Sequence, residues 1–451
     1  MVDVQAAAGD DVARGQDVVA DPIREESQEQ ERANEADPHP QGGLAAVVDV
    51  LLVGGDHSLS KVKAGMKEVA DVHCGVPTVG SISRYTIGST MADVVQVAPA
   101  DDPVRPLFSP AGELTAEARA TLGLSPDALR DLYHKMVWIR RTDQEALNLQ
   151  RQGELGLWGP YQGQEAIHVG TVAALRETDW IFPSYREFGM GMCRGIDPAE
   201  MLKLFRGVSH GPWDPRTYHF APLVIPVASQ VPHGVGFAMG SRFKHSDDVV
   251  LSTFGDGATS KGDWHEAMNF AGVFQAPVIF LCQNNHWAIS VPLAKQTAGS
   301  IAERAQGYGF PGIRIDGNDV LGIFAAIRTA AERARRGGGP YLIEAMTYRM
   351  GPHTTSDDPT RYRTNVELER WSAKDPIPRF RQWLEGQGLL DEAALAAINR
   401  EVEAKVETMR NRLRATTAPA PGEAIFGRVY QHPSDSFLEE REEFESSLES
   451  N

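Results

Sequence analysis

Cysteine is scarce in this chain. Cys74, Cys193 and Cys282 are the only three in 451 residues, an odd number without C-x-x-C spacing, which excludes a disulfide framework and makes a reducing cytoplasm the expected compartment. A long apolar run is also missing. Leu44–Val53 is ten residues broken by Asp49, too short to cross a bilayer, and the opening MVDVQAAAGDD has neither the basic nor the apolar segment of a secretory signal. Basic charge is in deficit: 44 Lys and Arg face 61 Asp and Glu, for a net charge of −17. With no basic stripe, that balance excludes nucleic acid or an anionic membrane as the main partner. What remains is an ordinary globular composition, 42% hydrophobic and 23% charged, ample for one large or two medium domains.

The chain is organised around Val249–Ser290, VVLSTFGDGATSKGDWHEAMNFAGVFQAPVIFLCQNNHWAIS. Val249–Phe254 and Val278–Cys282 are short apolar runs bounded by Gly and Asn, as buried parallel strands should be. Between them Asp263 is expected to cap a helix that carries Trp264, Met268, Phe270, Ala271 and Phe274. The result is one βαβ unit with polar turns at the carboxyl ends of its strands, where open α/β sheets bind ligands.

The turn chemistry narrows the ligand. Gly255 and Gly257 let backbone N–H groups approach an anion closely, and Asp256 between them offers a hard carboxylate oxygen. A diphosphate at a helix N-terminus suits such a turn. Asp256 would repel it, so a divalent cation should lie between them, with Asn285 adding an amide oxygen and a nearby backbone carbonyl a third ligand; Mg²⁺ shares octahedral oxygen ligation in this way. GDG alone is weak, since Asp-Gly turns are common, but here NN follows after 26 residues.

That spacing resembles the thiamine-diphosphate motif. With FGDGATSKGD, NFA and QNNHWAIS around it, the stretch resembles the alpha subunit of the thiamine-dependent dehydrogenase component of 2-oxo acid dehydrogenase complexes. The resemblance implies an α/β thiamine-diphosphate-binding fold, a doubly wound, mainly parallel sheet flanked by helices. Gly255, Asp256, Gly257, Ala258 and Asn285 would hold cofactor, and Asp256, Asn285 and the Trp287 carbonyl would hold Mg²⁺. Residues 1–95 do not share the likeness. Asp21–Asp37 has a disorder-prone composition, while Leu44–Val53 and Cys74–Ile87 could form small strands. This segment reads either as an extension that docks a partner or as a mis-assigned start before a natural Met91; we favour the second.

An extended Pro-rich arm (residues 96–125) leads to a core expected over 126–370. Ser125-Pro126 is a cap followed by proline at the first turn, and Leu129, Leu132, Met136, Val137 and Ile139 recur at helical spacing up to a stop near Gly153. Trp180–Phe182 reads as a strand, and in FPSYREFG the pair Tyr185 and Arg186 matches cofactor-contacting residues of the family, the arginine through the diphosphate. His210 and His219, in the loop that follows, lack metal-ligand spacing and are candidates only for lining the site. In VIPVASQVPHGVGFAMG, Pro226, Ser229 and Gln230 match a structural potassium site. Ile225 stands where many members carry a cofactor-contacting serine. The helix after it, Pro232–Ser241, has Gly234, Gly236 and Gly240 for close packing. Gly312–Ile315, a helix capped by Asp319, and the strand Tyr341–Tyr348 complete at least five βα elements.

RMGPHTTSDDPTRYRT reads as a functional loop. His353 matches the family's loop histidine, which reaches the cofactor and assists acyl transfer to lipoamide; Pro352 departs from members with histidine there, and Thr354 sits where some relatives are phosphorylated. From residue 371 to 451 the chain reads as helical with an acidic tail. The likeness implies oxidative decarboxylation of a 2-oxo acid and passage of the acyl group to the lipoyl group of a partner acyltransferase. The glutamate that should partner the cofactor's pyrimidine cannot be placed here, and in the family it comes from a separate beta subunit, giving an alpha2–beta2 assembly. This chain alone should therefore bind cofactor weakly and turn nothing over. Gln283 replaces a diphosphate-binding arginine, a loss of roughly 1.5–3 kcal/mol that Lys261 should partly offset. LQRQGELGLW and YRMGPHTTSDDPTRYR look more like branched-chain members than pyruvate members, although one methylene is discriminated by only about 1–3 kcal/mol. A pyruvate dehydrogenase alpha subunit and a non-catalytic paralogue are the alternatives.

Overall fold

The computed structural model describes residues 102–449 except His210 and Arg428. The readings made for residues 1–95, and for His210, lie outside the described residues. Five strands form one sheet: β1 (Trp180–Phe182), β2 (Val250–Gly255), β3 (Val278–Asn284), β4 (Gly312–Asp316) and β5 (Tyr341–Met346), in the order β1-β2-β3-β5-β4. Every pairing is parallel. The near-continuous apolar sequence of β2, β3 and β5 follows from this, because both faces of a parallel sheet are covered.

Alternation along the strands sends successive side chains into two cores. Leu251, Ile279, Leu281, Ile313 and Ile343 face one core, which also contains α1 (Pro126–Arg151), α2 (Glu165–Ala174) and, further along the chain, a long helix from Val320. Val250, Phe254, Val278, Phe280 and Leu342 face the other, with α3 (Gln230–Phe243) and α4 (Gly262–Phe274). The sheet is thus doubly wound. The Val320–Arg335 helix is α5, followed by α6 (Pro376–Gly386) and α7 (Glu392–Arg414). Phe380, Leu384, Val406 and Leu413 of these last two bury into the first core, and Arg140 of α1 ties Glu165 to Asp375 just ahead of α6, at 2.9 Å from the latter.

Local signals set the helix ends. Ser125 Oγ accepts from the Ala128 N–H with Pro126 at the first turn, and Asp319 accepts from Leu321 N–H. Gly153 takes the left-handed conformation (φ 79°) just past α1. Two readings need correction. Asp263 does not cap α4: the helix begins a residue earlier, after Lys261, and makes no side-chain cap bond. The 3₁₀ turn Asp256–Ser260 runs almost directly into α4 and places Asp263 inside the first turn, where its charge still complements the helix dipole. The glycine-bearing helix α3 is also longer than Pro232–Ser241, running from Gln230 to Phe243.

Candidate active site

Parallel strands all deliver their carboxyl ends to one edge, and the functional side chains arrive there together. The segments after β1, β2, β3 and β5, with the loop ahead of α3, enclose a cavity of about 350 Å³. Tyr185, Arg186, Gln230, Gly255, Asp256, Gly257, Ala258, Asn285, Trp287 and His353 all line it. Pro226 and Ser229 lie in the loop ahead of α3 but not in the lining, with Ser229 Oγ donating to the Pro226 carbonyl at 3.0 Å.

The turn after β2 is shaped by the hairpin after β3. A Cβ on Gly257 would stand 2.7 Å from the Ala288 Cβ, so only glycine fits, whereas a Cβ on Gly255 would meet nothing within 4 Å. The open side of Gly255 is room for a ligand. Asp256 is 1% exposed; burial pushes its carboxyl up to about 6, eased by the Gln296 amide, which donates to Oδ2 at 3.0 Å. This is a buried acid lacking its counter-charge. Of the two asparagines, Asn284 turns inward to donate to Glu344 at 2.7 Å, and Asn285 faces the cavity with Oδ1 3.3 Å from the Trp287 N–H. Asp256, Asn285 Oδ1 and the Trp287 carbonyl, the last also accepting from Arg349, are oxygen donors of the kind Mg²⁺ takes. Non-glycine residues around the cavity adopt positive φ: Ala228 at 74°, His286 at 69° and the β-branched Ile289 at 55°. Such conformations cost roughly 1–3 kcal/mol each and cluster at functional sites.

Arg186 is buried beside its Tyr185 ring, 5.4 Å from guanidinium carbon to ring centre. Its Nη1 donates to the Pro160 carbonyl at 2.5 Å and its Nη2 to the His353 carbonyl at 3.1 Å. Burial, then the charges of Arg186 and Arg349, lower the His353 pKa to about 3, so the ring is neutral throughout the physiological range. Gln283 is committed to a neighbour: its amide donates to Glu187 at 2.5 Å, and Glu187, with its carboxyl raised by burial, also accepts from Ser184. Lys261 is exposed and is not among the residues that line the cavity. His219 is likewise away from the cavity, bonded to the Glu177 carbonyl at 2.6 Å and edge-on to Trp180.

Several site residues carry no motif of their own. Arg349, fully buried, donates to the Trp287 carbonyl at 3.2 Å, the Ile289 carbonyl at 2.9 Å and the Tyr362 hydroxyl at 3.1 Å. Gln164, also lining the cavity, has both amide atoms buried without a hydrogen-bond partner. The signal for Arg349 is its place four residues ahead of His353, and for Gln164 its place in GQEA; for Gln296 the sequence offers none.

A doubly wound sheet with a cavity, a buried acid and side-chain oxygens at its carboxyl edge has the form of a ligand-binding α/β domain. The chain belongs to the dehydrogenase E1 component family, whose model matches residues 133–421. It is 48% identical over 351 residues to the 3-methyl-2-oxobutanoate dehydrogenase subunit alpha of Mycobacterium tuberculosis, covering 77% of this chain and 94% of that one. The pyruvate dehydrogenase E1 component subunit alpha of Acholeplasma laidlawii is 37% identical over 328 residues, 72% and 95% of the two chains. That of Bacillus cereus is 42% identical over 298 residues, 65% and 78%. This is therefore an enzyme chain of the thiamine-dependent 2-oxo acid dehydrogenase type, acting in the oxidative decarboxylation of a 2-oxo acid.

Proposed function

We propose that this chain is the alpha subunit of a branched-chain 2-oxo acid dehydrogenase, acting on substrates such as 3-methyl-2-oxobutanoate and passing the acyl group to the lipoyl group of a partner acyltransferase. The observation that carries it is the buried Asp256 beside Asn285 and the open face of Gly255, opposite Arg186, in one cavity. The branched-chain preference is supported by the 48% likeness to the mycobacterial subunit of that name.

Thiamine diphosphate, when bound, supplies the electron sink that decarboxylation needs. The protein's own residues bind and orient it. Asp256, Asn285 and the Trp287 carbonyl would hold Mg²⁺, which would offset the charge of the diphosphate. Arg186 and the backbone of Gly255, Gly257 and Ala258 meet the remaining negative charge, with Tyr185 beside them. Gln283, neutral and tied to Glu187, contributes no charge, so the cation carries more of the anion. Gln230 Oε1 is buried without a donor, an oxygen suited to potassium together with the Pro226 carbonyl and Ser229 Oγ. His353 serves the acyl transfer step.

The site is completed by a beta subunit in an alpha2–beta2 assembly. Supporting this, Ile225, Val227 and Ile289 at the cavity mouth are 60%, 45% and 53% exposed, and Phe243 and Val273 on α3 and α4 are 80% and 68% exposed, beside Phe270 and Phe274. Apolar surface of that extent marks an interaction site. The cytoplasm is the proposed compartment; among the described residues no helix is long and apolar enough to cross a membrane. The test is a decarboxylation assay of the chain assembled with its beta subunit, comparing 3-methyl-2-oxobutanoate with pyruvate. Preference for the branched acid supports the proposal, preference for pyruvate overturns the substrate, and no cofactor-dependent turnover of either favours a non-catalytic paralogue.

A further inference from the structure

His353 sits between two guanidinium groups. Arg186 Nη2 is 3.2 Å and Arg349 Nη1 3.1 Å from the same ring atom, Nδ1. A guanidinium has only donors to offer, so Nδ1 must present its lone pair to both. A proton on Nδ1 would point into two sets of N–H groups. The neutral ring must then carry its hydrogen on Nε2, the nitrogen left for the cavity that His353 lines.

The two arginines arrive from different elements, Arg186 after β1 and Arg349 after β5, and both are buried. Within the loop, Asp357 accepts the His353 backbone N–H at 2.8 Å and the Tyr362 hydroxyl at 2.5 Å; its charge favours a protonated ring but is outweighed by burial and the two guanidinium groups. The Tyr185 ring stands edge-on, 6.0 Å centre to centre. Arg363 donates to the carbonyls of Arg349, Met350 and Gly351, fixing the chain between the two residues.

We propose that Arg186 and Arg349 jointly lock His353 in the tautomer protonated on Nε2, and that Arg349 is thereby a positioning residue for it. The consequence is chemical. With one nitrogen blocked and the other bearing hydrogen, His353 cannot take a proton from the reacting groups; it donates a hydrogen bond to negative charge that develops there, as a neutral imidazole can. Arg349 also touches the carbonyls of Trp287 and Ile289, so one side chain joins the proposed cation loop to the histidine loop. The use His353 makes of its Nε2–H rests on the function proposed above; the tautomer does not.

The test reads the ring directly. Full-length protein labelled with ¹⁵N-histidine is examined by solid-state NMR from pH 8 to pH 5.5, with the His353 signals identified by their loss in H353N. The expected result is one unprotonated Nδ1 and one protonated Nε2 across the whole range. A hydrogen on Nδ1, or a doubly protonated ring by pH 6, overturns the proposal in the wild-type protein, whatever the variants do. In R349M, where burial and Arg186 still oppose protonation, the Nδ1 signal should shift and protonation of the ring should set in at a higher pH than in the wild-type protein; R349K, retaining one cationic donor, should restore much of the wild-type state. An unchanged His353 spectrum in folded R349M removes Arg349 from the role. Because the readout needs no turnover, an inactive enzyme with the Nε2–H ring refutes the function and leaves the tautomer standing.

Discussion

Replacing Asp256 by asparagine should make the unloaded protein more stable while removing its ability to hold cofactor. The carboxyl is 1% exposed and its folded pKa is raised by burial from 3.8 to about 6. A raised acid pKa means the fold disfavours the ionised form. The cost is absent below about pH 4, grows between pH 4 and 6, and is constant above. About two pKa units correspond to about 3 kcal/mol, and for a folded region of this size that is roughly 4 °C in Tm. Asn keeps the shape and an acceptor for Gln296 without the charge. In thermal denaturation at pH 7.5 without Mg²⁺ or thiamine diphosphate, D256N should melt above wild type, and the two should converge near pH 4. Adding both to the assembled alpha–beta pair should raise the Tm of the wild-type pair alone, since only a protein that binds is stabilised by ligand. An unloaded D256N that melts below wild type at pH 7.5, or a gap that does not close in acid, would refute the reasoning.

Gln296→Leu removes the only side-chain donor to Asp256 recorded among the described residues, and should weaken divalent-cation affinity about 10–100-fold, as loss of a supporting hydrogen bond typically does; Mn²⁺ titration followed by electron paramagnetic resonance measures it. Gly257→Ala forces a Cβ to within 2.7 Å of Ala288, so the turn must shift and thiamine diphosphate affinity in the assembled pair should fall at least tenfold with little change in secondary structure by circular dichroism. Asp179→Ala strands Arg335, which donates to it at 2.5 Å, and also frees the Val249 N–H. The loss of a buried pair costs about 3–5 kcal/mol, and urea denaturation should show the midpoint fall accordingly.

The fold was legible where one local signal decides. Ser125 and Asp319 cap as their residue types dictate, and β2, β3 and β5 stand out because both faces are apolar. The GDG turn and the asparagine pair could be read as a ligand edge because parallel strands must end together. Sheet order was not legible: β5 inserts between β3 and β4, a long-range pairing with no mark in the local sequence. The motif singled out Asn285 for the ligand edge, where it lines the cavity, but nothing local marked the bond of Asn284 to Glu344 on the neighbouring strand. The Asp263 cap failed because a 3₁₀ turn, with no sequence signature distinct from a loop, runs up to α4. Arg349 escaped notice for a related reason. Four residues from His353 in a loop, its reach to Trp287, Ile289 and the imidazole exists only once β3 and β5 lie side by side.

The most direct test of the account is calorimetric titration of thiamine diphosphate into the assembled alpha–beta pair, with Mg²⁺ and with the cation removed by chelation. Saturable binding that requires Mg²⁺ and is abolished by D256N is the predicted result. Absence of binding, or equal binding without the cation, would contradict the assignment of this cavity.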